Sequence, residues 1–151
     1  MTSVAKQAPQ TLTQWVTFKL DGETYGVNVM EVQEVLRVTD IAPVPGAPGY
    51  VLGIINLRGN VVSVLDTRRR FGLQSIDNSD ATRIVIIESG GQTVGIRVDA
   101  VAEVLDVDSS EIESSPDVGN DESSRYISGM VSRDDELVIL IDVSKIISED
   151  M

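Results

Sequence analysis

The 151-residue chain has no cysteine and no histidine. These absences remove a thiol nucleophile, an imidazole acid–base, a Ser-His relay and the usual zinc ligands. Carboxylates, Arg, Lys, Ser, Thr and Tyr are what remain for catalysis, so an enzyme is not expected. Aromatic residues make up only 4% of the chain and the net charge is −12. Stacking platforms and a basic groove for nucleic acid are therefore both missing. The same negative charge opposes an anionic membrane surface. No run approaches the roughly 20 apolar residues that cross a bilayer, and MTSVAKQAPQTLTQ at the start lacks the apolar core of a secretion signal. The expected location is the cytoplasm. No GxGxxG, P-loop or GxSxG motif is present, and neither a cofactor nor a metal is expected. A chain of this length buries about 70% of its unfolded surface and needs no covalent staple.

What is present is divided unevenly. Residues 1–75 hold seven bases and six acids, net +1, whereas residues 76–151 hold five bases and 18 acids, net −13. Two surfaces of different character, and so two partners, are implied. The apolar pattern is short, β-branched and punctuated by turn signals, which predicts strands. Trp15–Leu20 and Thr24–Met30 read as a hairpin around Asp21-Gly22-Glu23. Glu31–Leu36 reads equally as a short helical turn or an extended continuation. Three prolines between Pro43 and Pro48 force an irregular loop. Tyr50–Leu57 and Asn60–Leu65 then flank a tight Arg58-Gly59 turn, and Asp66 is placed to cap a short helix ending at Gly72. After a polar connector, Leu73–Asp80, strands follow at 83–87, 92–98, 126–131 and 136–141, with a C-terminal helix capped by Asp142. The run 106–122 carries seven acids and no base and reads as a solvated, mobile loop.

The chain also resembles itself. TYGVNVMEVQEVL at 24–36 aligns without a gap to TVGIRVDAVAEVL at 93–105, with seven of 13 positions identical. YVLGIINLRGNVVSVLD at 50–66 aligns with YISGMVSRDDELVILID at 126–142. Duplication implies two β-units of about 65 residues, each too small to stand as an open sheet. Closing each into a small barrel and packing the two together removes the open edges and creates a groove between them. A tail at 1–13 precedes one domain at 14–149, with the repeat dividing it near 14–72 and 82–149.

Several residues stand out. Gly59 allows φ > 0, which leaves Arg58 projecting from a fixed hairpin tip, suited to bidentate recognition of a carboxylate. The second copy has Asp134-Asp135 there, so the fold does not demand the arginine. Glu34 recurs as Glu103 and is opposite in sign to Arg58 within one unit. Gly53 and Gly129, like Gly26 and Gly95, interrupt apolar strands and mark a bulge, a barrel corner or a surface kept flat for docking. Arg68-Arg69-Arg70 would fan around a helix and make no single basic stripe. Asp134-Asp135-Glu136 lacks the spacing of a calcium loop and reads as a charged hairpin tip.

The run VPGAPGYVLGIINLRGNVVSVLDTRRRFGL at 44–73, with TYGVNVMEVQEVL before it and ELVILIDVSKII at the end, closely resembles CheW-like chemotaxis coupling proteins. The likeness spans 13–148. It implies a mainly β fold of two interleaved five-stranded SH3-like barrels with short helices. It also implies a non-enzymatic adaptor joining the regulatory domain of a CheA-like histidine kinase to the cytoplasmic tip of methyl-accepting receptors, held at membrane arrays by protein contacts alone. By the same resemblance, Arg58 and Glu34 matter for assembly, and Val29, Val32, Val104, Gly53 and Gly95 lie at or near partner surfaces. The same scaffold in surface motility or development is the alternative, and a carboxylate-dependent hydrolase a more distant one.

Overall fold

The computed structural model describes residues 12–113 and 126–148. Ten strands form two five-stranded sheets: β1 (Leu12–Leu20), β2 (Glu23–Asn28), β3 (Val32–Arg37), β4 (Val51–Leu57), β5 (Asn60–Asp66), β6 (Arg83–Ser89), β7 (Gln92–Val98), β8 (Ala100–Asp108), β9 (Ile127–Arg133) and β10 (Glu136–Ile141). One sheet runs β8-β1-β2-β10-β9 and the other β3-β6-β7-β5-β4. Replacing each strand by its repeat mate turns the first order into the second, so the two sheets are related by a pseudo-two-fold.

The repeat units are not the sheets. The first sheet takes β1 and β2 from the first half of the chain and β8, β9 and β10 from the second, and the other sheet does the converse. Division at 14–72 and 82–149 therefore separates sequence copies but not barrels. The exchange is made by parallel pairing of β10 with β2 and of β5 with β7, beside antiparallel neighbours. Each sheet closes on itself: Ala42, after β3, bridges Ile54 on β4, and Glu113, after β8, bridges Met130 on β9. We call the sheet with β1 barrel 1 and the sheet with β3 barrel 2.

Two of the uncertain segments are resolved. Val29–Glu31 forms a single 3-10 turn and Val32–Arg37 is extended, so both readings of that stretch hold in succession. The acidic run is not loop from its start: Asp106–Asp108 finish β8, Ser109–Glu111 form a 3-10 turn closed by an Asp108/Glu111 capping box, and Glu113 pairs with Met130. Residues 114–122 lie outside the described part, as do 1–11, while Leu12 and Thr13 already belong to β1. The helices are α1 (Thr67–Arg70), capped by Asp66, and α2 (Val143–Ser148), where Asp142 accepts from the Ser144 N–H at 3.0 Å.

Three apolar clusters hold the body together. Trp15, Val107, Val131, Val138 and Leu140 fill barrel 1; Ile55, Val62, Val64, Ile84 and Ile86 fill barrel 2. The largest lies between the barrels, where Phe18, Tyr25 and Val27 meet Val85, Ile87 and Ile96 along with Phe71 and α2. Central strand β6 feeds two of them: Ile84 and Ile86 point into the barrel, Val85 and Ile87 into the junction. Alternation with both faces apolar explains why 84–87 is a continuous hydrophobic run. A fully buried Leu, Ile or Phe contributes about 1.5–3 kcal/mol, so the junction is a core in its own right.

Candidate docking site

Arg58 sits at the tip of the β4–β5 hairpin. Arg58 and Gly59 both have positive φ, 53° and 91°, the geometry of a two-residue turn that matches strand twist. Asn56 Oδ1 accepts the Gly59 N–H at 2.8 Å and fixes the tip. Glu34 lies on β3 just past a bulge between Val32 and Glu34, the kind of irregularity that re-aims a side chain. The two meet: Arg58 Nη1 donates to Glu34 Oε1 at 3.3 Å and Nη2 donates to Oε2, a two-pronged clamp. Hydrogen bonding from Arg58 holds the Glu34 carboxyl below its ordinary range against the opposing effect of burial, and the charge of Arg58 lowers it further. The arginine side chain remains 69% exposed, against 29% for the glutamate. The clamp therefore aims a guanidinium without hiding it.

The second copy of the turn carries Asp134 and Asp135, again both at positive φ. Nearby, Lys19 Nζ reaches Glu136 Oε2 at 2.8 Å. The two barrel ends thus present opposite hairpin tips, basic on barrel 2 and acidic on barrel 1. No group of three or more acids among the described residues is placed to hold a metal ion.

The apolar candidates fall along the edge of the junction. Val16 pairs with Val104 on β8 and with Val27 on β2; this row runs from the fully buried Val27 outward to Val104, 51% exposed. Val32 packs on the junction cluster from barrel 2, and half-buried Val29 begins the 3-10 turn beside it. A groove of about 220 Å³ here is lined by Leu12, Thr13, Gln14, Asn28, Val29 and Met30. Sequence reasoning missed Leu12 and Met30, although Met30 is 86% exposed. The signal was in the repeat: Met30 stands where the other copy has Asp99, an apolar side chain in a polar slot.

The two glycines play a different part. Gly95 is buried, and a Cβ there would come within 2.9 Å of Ile84 Cγ2 and 3.2 Å of Ile86 Cδ1. Gly53, at φ 151°, lies against the barrel closure, where a Cβ would overlap the Ala42 carbonyl oxygen. Both residues serve the barrel first and offer little surface of their own.

The three consecutive arginines go to three environments. Arg68 turns in to Asp99, Arg69 stays exposed, and Arg70 is buried between Tyr50 and Tyr126. No basic stripe results.

The CheW-like domain family model matches residues 14–151. The chain belongs to that family. A chemotaxis protein CheW of Treponema pallidum is 34% identical over 139 residues, 89% of this chain and 82% of that protein. That of Klebsiella aerogenes is 28% identical over 151 residues, 99% and 91% of the two chains. The crystal structure of the scaffolding protein TtCheW from Thermoanaerobacter tengcongensis matches with a TM-score of 0.81 and 37% identity over 86% of this chain and 88% of that one. As a CheW-like protein, the chain is a non-enzymatic adaptor of chemotaxis signal transduction. No helix among the described residues is long and apolar enough to cross a membrane.

Proposed function

We propose that this CheW-like protein holds the regulatory domain of a CheA-like histidine kinase beside the cytoplasmic tip of methyl-accepting receptors. Association with membrane arrays then comes from protein contacts, without insertion and without nucleic acid. The observation that carries the reading is the apolar rim of Val29, Met30, Val32 and Val104, which opens the inter-barrel core to solvent at one edge. A monomer gains nothing from a methionine exposed beside its own core; an amphipathic receptor helix laid on this edge would extend that core. The clamped Arg58 offers a second, charged contact at the end of barrel 2, and a kinase domain of similar barrel shape could meet the body there. Contacts of this kind suit dissociable assembly of modest area.

Calorimetric titration of the purified protein with a kinase regulatory domain and, separately, with a receptor-tip fragment tests the proposal. Saturable binding of both is expected, with Arg58→Glu weakening one of them at least roughly tenfold and leaving the circular dichroism unchanged. Folded protein that binds neither fragment would refute the reading, and unaltered binding by Arg58→Glu would remove Arg58 from the site.

A further inference from the structure

The two places where the chain crosses between barrels are built unequally. Asp99 makes the crossing from β7 to β8. Its carboxylate accepts from Arg68 Nε at 2.9 Å and Nη2 at 2.8 Å, and from the Asp21 backbone N–H at 2.9 Å. The Asp99 N–H donates to the Lys19 carbonyl at 3.0 Å. Arg68 belongs to α1, which follows β5 of barrel 2; Lys19 and Asp21 belong to barrel 1. The same guanidinium lies 3.6 Å from the Asp21 carboxylate and donates to the Gln74 carbonyl at 3.0 Å. Its side chain is only 10% exposed. Next to it, Arg97 Nη2 holds buried Asp66 at 3.4 Å and the Ile76 carbonyl at 2.9 Å. One network thus joins α1, the β1–β2 turn, the crossing residue and the connector between the repeats.

The pseudo-two-fold puts different residues at the other crossing, from β2 to β3. Met30 replaces Asp99, Asn28 replaces Arg97, Ser144 replaces Arg68 and Gly90 replaces Asp21. The guanidinium–carboxylate tie has no counterpart in these residues. The crossing is a 3-10 turn in which Asn28 Oδ1 accepts from the Met30 N–H at 2.9 Å, a bond within one turn. Glu31 there feels burial and the like charge of Asp142, both of which raise its carboxyl above its ordinary value.

We infer that the two barrels hinge about the Asp99 crossing, which is tied, and part at the Val29–Glu31 crossing, which is not, so that the barrel 1 groove at Leu12, Val29 and Met30 shifts relative to Val32 of barrel 2. A buried, bidentate arginine resists separation because parting it would leave a largely desolvated guanidinium without its carboxylate. Among the described residues no buried ion pair holds the 3-10 turn, only apolar packing such as that of Val32, and small shear between packed layers concentrates there. That the moving edge is also the docking edge rests on the function proposed above; the hinge itself does not.

The absence of native cysteine permits paired spin labels without background. Labels at Gln14 and Gln33 span the barrels from β1 to β3; labels at Glu23 and Gln74 span the tied side. All four positions are exposed. Dipolar distance distributions in the free protein should be roughly twofold broader for Gln14/Gln33 than for Glu23/Gln74. Asp99→Asn should broaden the Glu23/Gln74 distribution towards the other. If that variant does not fold, Asp21→Asn, which removes only the outer contact, should give the same change in smaller degree. Equal widths in the unsubstituted protein, or a Glu23/Gln74 distribution unmoved by the substitution in folded protein, would overturn the hinge. Because no partner is present, failure of docking would leave this result standing.

Discussion

Tyr50 and Tyr126, equivalent residues of the two repeats, face the same guanidinium: Arg70 lies 4.0 Å from the centre of one ring and 5.6 Å from the other. Arg70 Nη2 also donates to the Ile146 carbonyl of α2 at 3.1 Å. Phe71 continues the contact, stacked on Tyr126 at 5.3 Å between centroids and tilted against Tyr25 at 5.5 Å. A single asymmetric arginine thus sits where two symmetric tyrosines converge.

Arg70→Ala removes that contact and the bond to α2 together. It should cost about 2–4 kcal/mol by denaturant unfolding. Arg70→Lys keeps the charge but loses the flat guanidinium face held between the two tyrosines, and its loss should fall between wild type and alanine.

Gly95→Ala drives a methyl into Ile84 and Ile86, an overpacking expected to cost about 1–3 kcal/mol. At Gly53 the obstacle is the Ala42 backbone, which cannot rotate aside, and the φ of 151° is itself strained for alanine. The second variant should therefore lose more stability than the first, and equilibrium unfolding of the two side by side decides it.

The clamp should be visible in a titration. Because the Glu34 carboxyl is depressed in the folded protein, the pair is complete above the ordinary glutamate range. It is lost as pH falls through that lowered folded value. Arg58→Ala should move the Glu34 midpoint, followed by carboxyl NMR shifts, back up towards its usual range. Global stability at neutral pH should scarcely change, since exposed pairs contribute little.

Interleaving makes the halves interdependent. β2 finds β10 as its parallel neighbour, and β5 finds β7, so a fragment ending at residue 72 lacks three strands of barrel 1 and two of barrel 2. It should show neither cooperative melting nor β-sheet circular dichroism, while the whole chain unfolds in one transition. A folded 1–72 fragment would contradict the topology.

Hairpins were legible because turn residues such as Asp21-Gly22 and Arg58-Gly59 separate short alternating runs, and the repeat announced two similar barrels. Which strand pairs with which was not legible. The repeat reports likeness, and the parallel contact of β10 with β2 joins residues too far apart to leave a local pattern. The acidic run misled in its first residues because charge reads as solvation. In the fold Asp106 accepts from Gln14 Nε2 at 3.0 Å, and Arg133 binds the Asp106 carbonyl at 2.9 Å and Glu111 at 3.2 Å; the cations and amides that order it come from other strands. At the candidate site, opposite charge foretold the Arg58–Glu34 pair. Exposed Met30 and Leu12 escaped notice because apolar residues in strand-like runs are ordinarily core; the repeat carried a sign for Met30, opposite Asp99, whereas only the three-dimensional edge shows it for Leu12.

The most direct measurement is co-sedimentation of a kinase regulatory domain with receptor-tip fragments tethered to vesicles, with and without this protein. The kinase domain should enter the pellet only when the adaptor is added, in stoichiometric amount, and Arg58→Glu should reduce its recovery. Recruitment that is the same in the adaptor's absence, or none in its presence although the protein is folded, would contradict a scaffold that holds both at once.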